Sequence, residues 1–412
     1  MSSITEPIAT PVATETAKTG LHKLSMAAIM LGHTAVDIQT SALAVLLPPL
    51  LAAFSLNYAG AAAIISANNL VIAVAQPLFG VLGDYRRARW LVPLGCVLCG
   101  VAMASVMFMP SYWLVVVAVI LSGLGSAAFH PEALSSTRAI SGEQKATGSS
   151  LFFFAGNVGF ALGPLVAAWL IEIYNPQAAV WLIVPTVLGV TALMTQYRRF
   201  QQGAPVTRPA GSTRALLRDK KTLTIVGFIL FFITVRLTIT AGLTTFIPLY
   251  FSEFSTLTKS EIAQLLTVLS IAGTVGTLFS GPAAERIGRR MVIVGAMAIS
   301  LVGLYIFLHN EGWVRLAALA VAGAALSAPW TLSVIIMQDA LPHHVGLASG
   351  LSLGTAYGAM GLGVALLGNL ADVAGLQTTM QAIIYLPIVV LVMGFFIPER
   401  SSQGTWNVKH ET

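Results

Sequence analysis

The strongest constraint on this chain is a series of long apolar runs that recurs from residue 24 to residue 397. Runs of eighteen or more mostly apolar residues are long enough to cross a bilayer as helices. Only 9% of the 412 residues are charged, whereas a soluble domain averages roughly 25%. So few charged residues cannot provide enough polar surface to cover a globule in water. We therefore expect an all-α membrane protein. The runs are continuous rather than alternating, which excludes a transmembrane β-barrel.

Twelve transmembrane helices in two pseudo-symmetric bundles of six are predicted. Their expected bounds are 24–53, 58–82, 91–109, 113–137, 147–173, 178–197, 223–251, 261–284, 291–309, 314–337, 346–371 and 377–397. Residues 24–197 form the first bundle and residues 223–397 the second. The longest polar connection, residues 198–222, is the predicted linker, and residues 1–23 and 398–412 are predicted tails.

Basic residues concentrate on one side of the predicted bundle, which carries nineteen of the 22 Lys and Arg residues. The positive-inside rule assigns this side, with both termini and the linker, to the cytoplasm. The rule also explains the net charge of +6 without a nucleic-acid partner. Residues 1–20 contain no apolar core of a cleavable signal peptide.

Two residues of opposite charge lie well inside matching predicted spans of the two bundles. Arg236 stands in an apolar segment, and Asp37 lies 199 residues earlier, in the matching segment of the first bundle. A charged side chain at mid-bilayer costs at least about 2.5–3.5 kcal/mol, so it usually faces a partner, a cavity or a charged cargo. Arg236 is either the counter-ion of an acid or the ligand of an anionic cargo, which its two-pronged guanidinium suits. A fixed Asp37–Arg236 salt bridge and a snorkelling Arg236 remain alternatives.

Other ionisable residues join this candidate site for protons and substrate. His33 lies four residues before Asp37 and shares its helix face, although a packed neutral histidine is equally consistent with the sequence. Glu132 is predicted as a second proton carrier, with His130 beside the same cavity. A simple helix-end charge is the alternative for Glu132. Asp339 occupies the matching end of the tenth helix.

A short motif occurs twice, 201 residues apart. Gly80–Arg89 reads GVLGDYRRAR at the end of the second helix, and Gly281–Arg290 reads GPAAERIGRR at the end of the eighth. Two such halves with a midplane site between them are typical of transporters. Asp84 and Glu285 are predicted to accept hydrogen bonds at the N-terminus of a neighbouring helix, forming a latch on the cytoplasmic side. Ordinary helix-end charges are the alternative.

The repeated motif resembles the loop motif of the major facilitator superfamily, and the resemblance covers residues 24–397. It implies the fold of that superfamily, alternating access and gating roles for the motif residues. Those residues are Gly80, Asp84, Arg87, Arg89, Gly281, Glu285, Arg289 and Arg290. The first copy departs from the pattern, because Arg87 stands where glycine is usual and Ala88 where arginine is usual.

The fifth helix resembles the antiporter motif of the same superfamily through Gly159, Gly163 and Pro164. Two further glycines usually follow, but Ala167 and Ala168 occupy those places. Glycines four residues apart also let helices approach closely, so helix packing alone is an alternative.

Three short segments resemble the fosmidomycin-resistance-type drug exporters. They are His33–Asp37, Ala128–Glu132 and Gln338–Pro342. The resemblance implies a monomeric bacterial inner-membrane antiporter that exports a small drug-like compound, anionic or amphiphilic, in exchange for protons. An importer or facilitator of a small organic anion remains an alternative, as does a membrane-embedded sensor.

No ATP-binding loop is apparent, because the glycine-rich stretches lack the sequence GxxxxGK followed by Ser or Thr. No hydrolytic triad or metal-ligand cluster is visible either. We therefore expect no enzymatic activity, cofactor or metal, and an ion or cargo gradient as the energy source. The expected partners are the substrate, protons and the lipid bilayer.

Overall fold

The computed structural model describes residues 20–56, 58–86, 88–202, 219–397, 399–400 and 406–407. Helices dominate these residues. The twelve helices are α1 Lys23–Phe54, α2 Tyr58–Arg86, α3 Leu91–Ser105, α4 Tyr112–Ile140, α5 Lys145–Ile173, α6 Ile183–Gln202, α7 Lys220–Phe254, α8 Lys259–Ile287, α9 Arg289–His309, α10 Gly312–Ala340, α11 Val345–Tyr385 and α12 Pro387–Phe395. Short 3₁₀ turns at Val106–Phe108 and Pro176–Leu182 follow α3 and precede α6, and strands Glu399–Arg400 and Trp406–Asn407 pair antiparallel.

Eleven apolar segments of the described chain are long enough to cross a membrane, with Val345–Phe395 counted as one run. That run contains the last two predicted spans. Gly375 breaks the helical conformation between them with a φ of 85°, which glycine adopts without steric cost. The predicted all-α architecture of twelve spans is therefore confirmed.

The central connection is shorter than the predicted linker of residues 198–222. Helix α6 continues to Gln202 and α7 already begins at Lys220. The early start of α7 has a local cause, because the Asp219 carboxylate accepts a hydrogen bond from the Lys221 N–H at 3.1 Å and thereby caps the helix. Residues 203–218 and most of both predicted tails lie outside the described residues.

The two halves contact each other through two equivalent helix pairs. Helix α2 packs against α11, and α5 packs against α8. The two pairs are equivalent by the internal repeat, because α2 corresponds to α8 and α11 corresponds to α5. We use "linker face" for the side where α6 ends and α7 begins, and "opposite face" for the other side.

Glycines show where the halves touch and where they separate. A Cβ built on Gly350 would lie 2.8 Å from Pro77 Cα of α2, and one on Gly354 would lie 2.6 Å from the Ala73 carbonyl oxygen. One turn further along α11, a Cβ on Gly358 meets no atom within 4 Å. The helices are thus in backbone contact near the linker face and diverge toward the opposite face.

Candidate functional site

A cavity of about 1030 Å³ lies between the two halves. Helices α1, α2, α4 and α5 line it from the first half, and α7, α8, α10 and α11 line it from the second. Its charged or ionisable lining includes His33, Asp37, His130 and Arg236. The sequence-predicted pair of Asp37 and Arg236 therefore faces one shared cavity from opposite halves.

Two carboxylates form hydrogen bonds between the halves at the linker face of this cavity. Asp84, near the end of α2, accepts hydrogen bonds from the N–H groups of Gly346 and Leu347 at 2.7 and 2.8 Å. Glu285, near the end of α8, accepts hydrogen bonds from Thr147 N–H and Oγ1 at 2.9 and 2.6 Å. Both carboxylates cap the start of a helix in the other half, where partial positive charge favours an anion.

His344, the residue before α11, makes no capping hydrogen bond with its side chain, so Asp84 alone caps this helix start. Burial lowers the pKa of His344, with a smaller contribution from neighbouring His343. His344 is therefore neutral at pH 7 and places no competing positive charge beside the latch.

Glycines allow the same close approach on both sides of the pseudo-symmetry axis. A Cβ on Gly80 would collide with the Gly346 carbonyl oxygen, and a Cβ on Gly281 would collide with the Ala146 carbonyl oxygen. Any side chain at either glycine would therefore push α2 away from α11, or α8 away from α5.

Ion pairs add to the close helix contacts at the linker face. Arg89 lies 3.1 Å from Glu132 and donates to Ser136 Oγ at 2.7 Å. Asp339 pairs with Arg289 at 2.5 Å and also pairs with Arg138 of the first half. The Asp339 carboxylate therefore ties the two halves together at the linker face.

Of the two remaining motif arginines, Arg290 lies beside an aromatic ring. The Arg290 guanidinium lies 5.9 Å from the ring centroid of Phe395. Arg87 lies outside the described residues.

Asp37 is the centre of a buried trio of ionisable side chains. Its Oδ2 lies 3.2 Å from His33 Nε2, and its Oδ1 lies 3.2 Å from His130 Nε2. The His130 contact is not aligned as a hydrogen bond, so Oδ1 has no hydrogen-bond partner. The trio joins α1 to α4 within the first half.

The glycines of α5 position this trio. A Cβ on Gly159 would lie 2.6 Å from the Thr34 carbonyl oxygen and 2.9 Å from Asp37 Cβ, and one on Gly163 would collide with α1 at Ser41. The antiporter-like glycines therefore pack α5 onto α1, and Pro164 lies inside α5 one residue beyond them.

Arg236 makes a different set of contacts from those expected in the sequence. Its Nε and Nη2 donate to the Leu326 carbonyl oxygen of α10 at 3.0 and 2.8 Å. Pro329 of the same helix removes the helical hydrogen bond to the carbonyl of Ala325, the residue immediately before Leu326. No ion pair of Arg236 is present among the described residues.

The expected meeting of Asp37 and Arg236 is therefore not a direct contact in this conformation. The physical reason is that each group has partners in its own half: two imidazoles for Asp37 and a backbone carbonyl for Arg236. A guanidinium has five N–H donors, and the Leu326 carbonyl accepts from only two of its nitrogens. The remaining donors can bind a ligand in the cavity.

Glu132 and Asp339 lie away from the cavity lining. Residues His130 and Glu132 do not flank one cavity, because Glu132 points toward α2 and Arg89 near the linker face. The alternative of a simple helix-end charge beside Arg138 is also wrong, since Arg138 pairs with Asp339. Glu132 pairs with Arg89 instead.

Sequence reasoning missed two polar side chains of the cavity. Gln76 of α2 has neither amide atom hydrogen-bonded, and Thr240 of α7, one turn after Arg236, has a buried hydroxyl without a partner. An amide inside an apolar span was the available signal, since buried polar groups are normally hydrogen-bonded. Both groups can bind polar atoms of a ligand.

Comparisons with known proteins agree with this architecture. A family model described as Major Facilitator Superfamily matches residues 29–256 and 240–411. The fosmidomycin resistance protein of Escherichia coli (strain K12) is 27% identical over 97% of this chain and 98% of its own length. The methyl viologen resistance protein SmvA of Salmonella typhimurium is 26% identical over 84% of this chain and 82% of its own length.

A solved structure supports the same fold. The transporter FucP in its outward conformation matches with a TM-score of 0.69 at 14% identity, over 91% of this chain and 98% of that one. Likeness at this identity concerns the fold alone. The family model, by contrast, spans nearly every helix described above. The chain therefore belongs to the Major Facilitator Superfamily of small-molecule membrane transporters.

Proposed function

We propose that this protein is a proton-coupled antiporter that exports a small drug-like anion across the bacterial inner membrane. One observation carries the proposal: Arg236 is buried, lines the cavity and has no acidic partner among the described residues. A permanent charge in a membrane-spanning segment is too costly to leave without a function. Two relatives that are named resistance proteins support export of a toxic compound.

The cargo site in this proposal is the wall of the cavity around Arg236. A phosphonate or carboxylate group would accept hydrogen bonds from the guanidinium donors that Leu326 does not use. Gln76 and Thr240 offer unsatisfied polar atoms on the same cavity. The apolar remainder of the lining, including Leu237 and Trp330, suits the body of an amphiphilic compound.

Alternating access would exchange the cavity between the two faces. In the conformation described, the Asp84 and Glu285 latches hold the linker face closed, and α2 and α11 diverge toward the opposite face. With the linker face in the cytoplasm, as the basic residues indicate, this is an outward-open state. Cargo leaves and protons arrive in this state.

The coupling acid in this proposal is Asp37. It shares the cavity with Arg236, so its protonation changes the net charge of the cavity and thereby the balance between the outward-open and inward-open states. Glu132 lies further toward the linker face on the same helix as His130. This position suits the transfer of the proton to the cytoplasmic side.

The proposal is tested with inverted membrane vesicles that contain the protein. An imposed proton gradient should drive uptake of a radiolabelled phosphonate or carboxylate drug, which corresponds to efflux from a cell. Arg236→Gln should abolish this uptake, whereas Arg198→Gln, at an exposed position at the end of α6, should leave it unchanged. Uptake into intact cells without any efflux would support the importer alternative instead.

A further inference from the structure

The trio of His33, Asp37 and His130 has a geometry that goes beyond proton binding. One nitrogen of each ring and a carboxylate oxygen lie within 4.8 Å of one another, with both N···O distances at 3.2 Å. A tetrahedral metal ion about 2.0–2.2 Å from nitrogen and oxygen ligands requires neighbouring ligand atoms to be roughly 3.3 Å apart. Each imidazole nitrogen is at this distance from a different Asp37 oxygen, so small side-chain rotations within the 4.8 Å cluster would bring one oxygen and both nitrogens around a single ion.

The opposite nitrogen of each imidazole fixes which atom faces Asp37. His33 Nδ1 lies 2.7 Å from the Phe152 carbonyl oxygen, and His130 Nδ1 lies 2.7 Å from the Ser126 carbonyl oxygen. A carbonyl only accepts hydrogen bonds, so both Nδ1 atoms donate, and each neutral ring presents its Nε2 lone pair to the carboxylate. Backbone carbonyls orient metal-binding histidines in the same way.

Lone pairs that face a carboxylate repel it unless a cation lies between them. Asp37 Oδ1 also has no hydrogen-bond partner although it is fully buried. Two neutral imidazoles and one carboxylate thus leave an unsatisfied negative centre inside the protein, where an uncompensated charge is costly. Protons on the rings or one metal ion would satisfy it.

The trio also has space for a fourth ligand. All three residues line the cavity, from which water can reach an ion. Gly156 of α5 leaves this side open, because a Cβ there would lie 2.6 Å from His33 Cε1 and 2.7 Å from Asp37 Oδ2. Three protein ligands and one open position are typical of zinc sites that keep an exchangeable ligand.

We propose that His33, Asp37 and His130 form a binding site for one divalent transition-metal ion of the zinc class, reached from the central cavity. Two imidazoles and one carboxylate favour Zn²⁺, Co²⁺, Ni²⁺ or Cu²⁺, whereas Ca²⁺ and Mg²⁺ prefer oxygen ligands. The site shares Asp37 with the proposed proton coupling, so a metal ion and a proton compete for this carboxylate, but metal binding is measured without cargo or a proton gradient. His33 and Asp37 share α1 but His130 comes from α4, so the sequence alone does not bring the three ligands together.

Equilibrium binding of Zn²⁺ to the detergent-purified full-length protein tests the proposal. The protein should carry an affinity tag without histidines, and titration calorimetry should find one Zn²⁺ per chain. His33→Gln and His130→Gln should each weaken binding by more than the ~10–100-fold typical of an outer-shell partner. His309→Gln is the matched control, because His309 is an exposed histidine at the end of α9 and should bind as the parent does.

Co²⁺ provides a second readout that does not depend on affinity. The strong visible absorption of a four-coordinate Co²⁺ complex should appear in the parent and in His309→Gln, and should disappear in the two cavity variants. Elution of each variant as a single species from a sizing column shows that it is folded. Loss of absorption in a folded variant supports the site.

Two results would overturn the proposal. If the parent does not bind Zn²⁺, the three side chains bind only protons and the metal site does not exist. Equal binding by the parent, His33→Gln and His130→Gln would place the ion elsewhere, and loss of binding in Cys99→Ser would then assign it to the buried Cys96–Cys99 pair. Neither result bears on transport, so the proposed function is tested separately.

Discussion

Asp37 and Arg236 line one cavity from opposite halves of the molecule, but neither is the ion-pair partner of the other. Asp37 lies between two imidazoles, and Arg236 donates to the carbonyl of Leu326. A direct salt bridge would neutralise both charges and favour one conformation. Because the two charged centres are separate but share a cavity, a proton bound at Asp37 changes the electrostatic environment of Arg236, and an anion bound at Arg236 changes that of Asp37.

We predict that Asp84→Asn weakens the latch on the linker face. The substitution removes the charge that accepts from Gly346 and Leu347 N–H, and hydrogen bonds to a charged group contribute about 1.5–3 kcal/mol. Asparagine keeps one acceptor, so we expect a loss of about 1–2 kcal/mol, which is a factor of roughly 5–30 in the ratio of closed to open molecules.

The measurement is the maleimide labelling rate of a cysteine introduced by Ser150→Cys. Ser150 is buried against Ser280 of α8 at 3.0 Å, so the probe reports opening of the linker face. The native cysteines Cys96 and Cys99 are fully buried and give little background. Asp372→Asn, at an exposed position of α11, should not change the rate. Equal rates in all three proteins would contradict the latch.

The arrangement of the spans follows from the sequence because apolar length determines it. Helix ends were harder to place, since they depend on single side chains such as Asp219, which caps α7. The last two spans were correctly separated near residue 375 although their apolar run is nearly continuous. A glycine between two spans can be recognised from the neighbouring sequence. The contacts between the halves join residues far apart in the chain and cannot be recognised in this way.

Gly346→Ala should disrupt the contact between α2 and α11. A Cβ at this position would collide with the Gly80 carbonyl oxygen and lie 2.9 Å from Asp84 Oδ1. Since backbone atoms cannot yield as a flexible side chain can, we expect at least a tenfold loss of transport, equivalent to about 1.4 kcal/mol. Transport by reconstituted protein in liposomes measures it.

Gly368→Ala is the matched control on the same helix, away from the cavity lining. A Cβ there meets no atom within 4 Å, and alanine is a better helix former than glycine by about 1 kcal/mol. The variant should transport as the parent does and unfold at the same or a higher temperature. Equal damage by both substitutions would show that the close contact at Gly346 is not the cause.

The ion pairs of Asp339 predict a ranked series of stabilities. Asp339→Asn leaves Arg138 and Arg289 without their shared carboxylate, and breaking a buried pair costs about 3–5 kcal/mol. Arg289→Gln should cost less than about 1 kcal/mol, because the Arg289 side chain is 32% exposed. Unfolding temperatures in detergent should therefore fall most for Asp339→Asn. The reverse order would contradict the assignment.

Glu132→Gln separates the latch region from the cargo site. Glu132 pairs with Arg89 and does not line the cavity, so we expect a lower maximal transport rate with an unchanged cargo affinity. Equilibrium binding of the cargo and initial rates of transport measure the two quantities. Weaker cargo binding in this variant would place Glu132 at the cargo site.

The candidate site was only partly accessible from the sequence. The isolated charges at Asp37 and Arg236 stood out because charged residues in apolar spans are rare. His33 was predicted beside Asp37. The contacts with His130 and with the Leu326 carbonyl could not be predicted, since His130 comes from another helix and the carbonyl belongs to the backbone. The unsatisfied Gln76 amide became informative only once its surroundings were known.

Proton-driven uptake into inverted vesicles by Arg236→Gln and Asp37→Asn tests the central claim most directly. Cargo binding should be lost in Arg236→Gln, whereas Asp37→Asn should bind cargo and exchange it across the membrane without responding to the proton gradient. The two variants should remain folded and reach the membrane at parent levels. Proton-driven uptake at the parent rate by either variant would contradict the account.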